Sequence, residues 1–175
     1  MRNKTILFNS FNIPLVDKSI LNVFMILIGS LSIGVLAQAS IPIPFSPVPI
    51  TGQTIGVVLV GSLLGSKRGV LSVILYLLEG SLGLPVFANM SAGPHILIGP
   101  TAGYLWGFVI AAFIMGTFKE KRFLQNPFLC FLACFISTTI ILIIGALYLA
   151  ILAQDISKGL SCLLYTSDAA DETCR

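Results

Sequence analysis

Charge is what this sequence has least of. Only 10% of its 175 residues are Asp, Glu, Lys or Arg, while 56% are hydrophobic. A soluble domain carries about 25% charged residues, so this chain could not cover a soluble surface. Histidine occurs once, which leaves no basis for a histidine metal site. No Ser/His/Asp set and no pair of acids is present to carry catalysis, and no cofactor is expected. The cysteines offer no zinc or redox spacing. Cys130 and Cys134 stand four apart on one helix face, as small packing residues do, and Cys162 and Cys174 are isolated near the C-terminus. No secretory signal peptide is visible. Residues 1–18 are mixed and polar, and no small-residue cleavage site follows the first apolar run, so the first helix is expected to remain as a signal anchor. Internal repeats are absent. The net charge of +3 does not point to nucleic acid, because nearly all the charges lie between apolar runs.

What is present is a series of those runs. A bilayer core of about 30 Å needs roughly 20 apolar residues in a helix. Residues 20–38 form one such run and 50–66 a second, slightly short. The third, 69–78, stays apolar past Glu79 to residue 87. Residues 101–118 and 127–153 are the fourth and fifth, and a sixth begins at 160 and stops at 165. The chain therefore reads as an all-α, polytopic membrane helix bundle over 20–165. Residues 1–19 precede it as a cytoplasmic segment, and 166–175 follow as a polar tail expected to be foreign to the fold.

The breaks between runs are legible chemically. Pro42, Pro44, Pro47 and Pro49 alternate through IPIPFSPVPI. Proline removes a backbone donor and disfavours helix in the residue before it, so this stretch is a stiff, extended link. GSKRG at 65–69 is a tight turn carrying two cations. Residues 80–100 are rich in Gly and Pro yet barely charged, and are expected to fold back on the bundle as a cap, where protein buries the irregular backbone. Orientation follows from the cations. With the N-terminus in the cytoplasm, Arg2, Lys4, Lys18, Lys67, Arg68, Lys119, Lys121 and Arg122 all lie inside, and the outer loops hold only Lys158. The proline link and the 80–100 loop then face outward, where a protein that catches an external solute would place its pocket.

Several residues could serve such a pocket. Gln53, Asn89, Ser91 and Tyr104 are uncharged polar groups at helix starts or in the outer loop. With aromatic walls from Phe45, Phe87 and Trp106 they suit a small, mostly neutral ligand, although ordinary capping and loop hydrogen bonds would explain each one singly. His95 is expected to act as a neutral hydrogen bonder in the cap. Glu79 is the one acid within an apolar stretch. Such residues tend to be functional, but a place at the outer end of the third helix, near water, accounts for it more simply. Ser30 and Gly34 form a small-xxx-small pair that could meet another membrane helix or pack internally. GSLLGSK at 61–67 is one residue short of a phosphate loop and lies in a membrane helix, so no ATP site is expected. Asn3-Lys4-Thr5 and Asn89-Met90-Ser91 match the glycosylation triplet, a pattern frequent by chance.

Three segments agree in order and spacing with one known family. IPIPFSPVPITGQT, LLGSKRGVLSVILYLLEGSLGLPVFA and GPTAGYLWGF together resemble BioY, the biotin-specific substrate-binding subunit of bacterial energy-coupling-factor vitamin transporters. The match covers residues 33–118, with a looser one through the fifth helix. The resemblance implies six membrane helices in the plasma membrane and a biotin pocket open to the outside. It also implies a transmembrane coupling subunit and two cytoplasmic ATPase subunits as partners. Gln53 falls on the glutamine of the family's proline-rich segment and Tyr104 on the tyrosine of its GPTGGY segment. Asn89 or Ser91 stands in the loop that supplies polar contacts, with Phe45, Phe87 and His95 as further ligand candidates. Ser30 and Gly34 would meet the coupling subunit. The chain departs from the family in two places. ANMSAG replaces a Gly-rich loop, and LLYTSDAADETCR replaces the sixth helix and its aspartate motif, so the sixth helix reads as truncated and neither Asp168 nor Asp171 inherits that role. A sibling subunit for riboflavin or thiamine, or a truncated membrane protein without ligand, remain the alternatives.

Overall fold

The computed structural model describes the backbone of residues 18–41 and 48–172, and side chains within 19–41 and 48–152. Phe45 and most of the proline link lie outside the described residues. Among the described residues there are five α-helices: α1 Lys18–Ala37, α2 Gln53–Leu64, α3 Ser66–Ser81, α4 Ala102–Glu120 and α5 Pro127–Glu172. Between α1 and α2, strands β1 Ser40–Ile41 and β2 Ile50–Thr51 pair antiparallel. The loop after α3 holds two 3-10 turns, Ala88–Met90 and Pro94–Leu97.

Three helical stretches are long and apolar enough to cross a membrane: Ser19–Ala37, Ala102–Glu120 and Pro127–Leu152. The expectation of five full spans is corrected for α2 and α3. With 12 and 16 residues they rise about 18 and 24 Å, short of the roughly 30 Å core. Their shortness is set at Gly65, where φ is 88°. That left-handed turn is open to glycine, and it sends the chain at once into α3. The turn is also crowded from outside, since a Cβ on Gly116 of α4 would lie 2.2 Å from the Ser66 nitrogen. A second correction concerns the C-terminal end. No break separates a fifth from a sixth helix, because α5 continues through 160–165. The connecting sequence QDISKG holds no proline and a single glycine, so nothing in it enforces a stop.

Helix α4 lies at the centre, packed against α2, α3 and α5, while α1 packs against α2 and α3. Ile33, Val57, Val73, Tyr76, Phe87, Leu105, Phe108 and Ile141 form the buried core. The outward faces are equally apolar: Leu27, Leu31 and Val35 on α1, Ile110 and Phe113 on α4, and Phe128, Phe131 and Phe135 on α5 are exposed. Water would not tolerate so much apolar surface. It is the surface of a membrane protein, whose solvent on that side is lipid.

Among the described residues the few polar groups inside are paired. Ser30 is fully buried and donates its hydroxyl to Glu79 Oε2 at 2.5 Å. Glu79 sits half-buried in the last turn of α3. Gly34 is buried too, with Val86 beside it. The Ser30–Gly34 face is thus turned inward against α3 and the loop that follows it. It does not offer the outward contact to a coupling subunit that the resemblance implied.

Candidate ligand-binding site

A cavity of about 460 Å³ opens at one end of the bundle. Four segments build it: residues 48–54 around the start of α2, the loop 87–91 with Ile96, the first two turns of α4, and Ile141 and Leu142 of α5. Gln53, Phe87, Leu105, Phe108 and Ile141 are buried and form the floor, whereas Ile50 and Asn89 are exposed at the rim. Among the described residues that line it, none is Asp, Glu, Lys or Arg. A volume of this size lies within the roughly 300–1,000 Å³ of small-molecule sites.

The structure brings Gln53, Asn89, Ser91, Tyr104 and Phe87 to this one cavity. It does not bring His95 there. That residue is exposed and contributes its carbonyl to the Pro94–Leu97 turn, accepting from the Ile98 and Gly99 amides. Trp106 is 54% exposed on the far side of α4. Thr51, Thr54 and Thr101 line the cavity as well. Their sequence signal is the same as that of Gln53 and Tyr104, an uncharged polar group beside a helix start.

A chain of hydrogen bonds fixes the floor. Thr51 Oγ1 donates to Gln53 Oε1 at 3.2 Å, Gln53 Nε2 donates to the Tyr76 hydroxyl at 2.6 Å, and that hydroxyl donates to the Val86 carbonyl at 3.2 Å. Tyr76 is fully buried behind the wall. Its ring meets Phe87 edge-on, with centroids 5.4 Å apart. Phe87 in turn lies over Gly80, where an added Cβ would come within 2.2 Å of the ring.

The loop beside the mouth is held from α1. Gln38 Nε2 donates to the Phe87 carbonyl at 3.2 Å, and Gln38 Oε1 accepts from the Met90 amide at 3.1 Å. Ser40 Oγ donates to Asn89 Oδ1 at 2.5 Å. These bonds hold Asn89 and Met90 at φ 57° and 56°. Asparagine tolerates that left-handed region and methionine does so poorly. Tyr104 is fixed from α5. Its ring packs on Gly145, and Tyr148 packs on Gly103 in return, while the Tyr148 hydroxyl donates to the Ile98 carbonyl at 2.9 Å.

Charge is segregated along the molecule. Every Lys and Arg among the described side chains, from Lys67 and Arg68 to Lys119, Lys121 and Arg122, lies at the end opposite the cavity. There Glu120 accepts from both the amide and the hydroxyl of Ser66, tying α4 to the α2–α3 turn.

The chain matches known proteins over most of its length. The model of the BioY family matches residues 8–167. The biotin transporter BioY of Thermotoga maritima is 41% identical over 128 residues, 73% of this chain and 74% of that protein. The biotin transporter BioY2 of Lactococcus lactis subsp. cremoris is 34% identical over 131 residues, covering 74% and 70%. Among solved structures, the S-component for biotin from an ECF-type ABC transporter superposes with a TM-score of 0.72 at 29% identity, over 78% of this chain and 75% of that one.

Proposed function

The chain belongs to the BioY family, and on that premise we propose that it is the biotin-binding membrane subunit of an energy-coupling-factor transporter. Its relatives are biotin transporters rather than enzymes, and this chain moves a solute rather than transforming one. The observation that carries the reading is the cavity itself, apolar in its walls, without a charge among its described lining residues, and supplied with uncharged hydrogen-bonding groups. Biotin presents a neutral ureido ring fused to an apolar thioether ring. The ureido N–H and C=O groups lose water on entry and must find partners inside, since an unpaired buried polar group costs about 1–3 kcal/mol. Gln53, Thr51 and Tyr104 are the partners within reach of the floor, and Asn89 and Ser91 those at the rim, where the valerate chain leaves toward water. Phe87 and Phe108 give the apolar ring system an apolar wall to lie against.

The cation-rich end faces the cytoplasm and the cavity faces outward, which agrees with the bias of Lys and Arg toward the inner side. The helices cross the membrane as a multi-pass bundle, in which the short α2 runs from the cavity to the cation-rich turn at Gly65 and α3 runs back. Release to the inside falls to the coupling subunit and two ATPases that the subunit works with. Labelled biotin titrated into the purified protein tests the proposal. Saturable binding is expected, displaced by unlabelled biotin and unaffected by riboflavin or thiamine. Gln53→Ala should weaken it by about 5- to 150-fold, the equivalent of one unpaired buried group. Displacement by one of the other vitamins alone, or no saturable binding, would sink it.

A further inference from the structure

Tyr76 lies outside the cavity, yet the hydrogen bonds around it decide what the cavity can recognise. The Val86 carbonyl has no hydrogen to give, so the bond between it and the Tyr76 hydroxyl uses the only hydrogen that hydroxyl owns. Toward Gln53 the tyrosine oxygen can then act only as an acceptor. Gln53 must turn its amino group to Tyr76, as the 2.6 Å contact has it. The carbonyl end of the amide is thereby turned to the opposite side, where it takes the Thr51 hydroxyl. Thr51 lines the cavity and Tyr76 does not. One lone pair of Gln53 Oε1 is still unclaimed on the Thr51 side, since a carbonyl oxygen accepts twice and Thr51 fills one place, whereas the second Nε2 hydrogen belongs to the end of the amide held at Tyr76.

From this we infer that Tyr76 is a specificity-determining positioning residue, which locks the Gln53 side chain so that it meets the ligand as a hydrogen-bond acceptor and selects a cyclic urea for its N–H. The inference rests on the biotin reading and names the ligand atom that Gln53 reads. An amide free to turn would offer either end and discriminate less. Here one orientation of the amide keeps every bond in the chain from Thr51 to Val86. Burial adds to the selection. Gln53 is 6% exposed and Tyr76 fully buried, so a flipped amide would either face Tyr76 with oxygen against oxygen or draw the hydroxyl hydrogen away from the Val86 carbonyl, with little water to compensate.

The test compares biotin with two lactam analogues, in each of which one ureido N–H is replaced by CH2. No bulk is added, and only a donor is lost. The wild-type protein should bind one of the two about tenfold or more weaker than biotin, because a site built for a hydrogen bond rejects the ligand that lacks it. Tyr76→Phe removes one oxygen behind the wall and should bring that ratio to within about twofold of unity, a drop of about fivefold that corresponds to one neutral hydrogen bond. Gln53→Met keeps the side-chain length and should erase the ratio equally. Tyr76→Phe/Gln53→Met should erase no more than either alone. A loss that is additive in the double variant, or a full ratio in folded Tyr76→Phe, overturns the inference. If Tyr76→Phe does not fold, Gln53→Met decides, and a full ratio there overturns it too. Wild-type protein that binds biotin and both lactams alike removes only the inference. Wild-type protein without saturable biotin binding removes the biotin reading, and the inference with it.

Discussion

Adding one methyl group to α5 should damage the cavity without touching a polar group. A Cβ at Gly145 would lie 2.3 Å from Tyr104 Cδ1, 2.4 Å from Cε1 and 2.5 Å from Cγ. Ordinary contact between carbons needs about 3.5 Å or more, so the ring must shift by about 1 Å. It cannot slide along α5, because Tyr148 fills the matching notch at Gly103 and meets a virtual Cβ there at 2.4 Å. Either the helices part or the ring swings into the cavity it lines. Overpacking of this kind costs about 1–3 kcal/mol, and the better helix propensity of alanine returns at most about 1 kcal/mol. Gly145→Ala should therefore melt at a lower temperature, by a net of about 0–2 kcal/mol on the difference of those two terms. Its affinity for biotin should fall more steeply, by about 5- to 150-fold, if the ligand needs the ring where it stands. Gly34→Ala is the control. Its Cβ would meet Val86 at 3.5 Å, an ordinary contact, so stability and binding should hold or rise slightly. Tyr104→Leu combined with Gly145→Ala should recover the melting temperature but not the affinity. Thermal melts and biotin titrations of the four proteins in one detergent decide. Wild-type melting and affinity in Gly145→Ala would refute the reasoning, and so would equal losses in Gly34→Ala.

Other positions separate the loop, the backbone and the far end. Gln38→Leu removes the bonds to the Phe87 carbonyl and from the Met90 amide, so amide exchange over residues 88–91 should speed up and biotin should bind about tenfold more weakly; unchanged exchange there would show that Gln38 does not hold the loop. Met90→Gly relieves a φ of 56° that costs an ordinary side chain about 1–2 kcal/mol, and a melting temperature below wild type would contradict it. Ser66→Ala deletes the hydroxyl donated to Glu120 at the end remote from the cavity. It should lower the melting temperature and leave biotin affinity within twofold.

The legible part of the site was the part written in local chemistry. Gln53, Asn89, Ser91 and Tyr104 are uncharged polar groups where helices begin or a loop turns, and all four reach the cavity. What failed was phase and distance. Trp106 follows Tyr104 by two residues, about 200° around a helix, and so points away, whereas Phe108 follows by four and lines the cavity with it. Ile141 and Leu142 join through α4–α5 packing, where Gly107 lets α5 come close enough that a Cβ would stand 3.2 Å from Ile141 Cα. No local pattern carries that information. The small pair Ser30 and Gly34 shows the same limit, since its spacing predicts a close approach but not which helix makes it. Among the helices themselves, apolar runs located all five, but Gly65 decided that α2 and α3 would be short.

That shortness explains where the cavity lies. A bundle of equal helices closes at both ends, whereas α2 begins only at Gln53 and rises about 18 Å. Above its start the longer α4 and α5 continue, and the hollow between them is walled by connecting chain instead of by helix. Two connections supply that wall. The β1–β2 pairing of Ser40 with Thr51 and of Ile41 with Ile50 brings both ends of the proline link to the mouth and sets Thr51 beside Gln53. The loop after α3 folds back under Gln38, so that Phe87 drops onto Gly80 and Asn89 reaches Ser40. Each connection is therefore tied to the end of α1, which does not itself line the cavity. Changes at Gln38 or Ser40 must reach a bound ligand through the loop they hold, and so should alter its rate of escape more than the hydrogen bonds it makes on the floor.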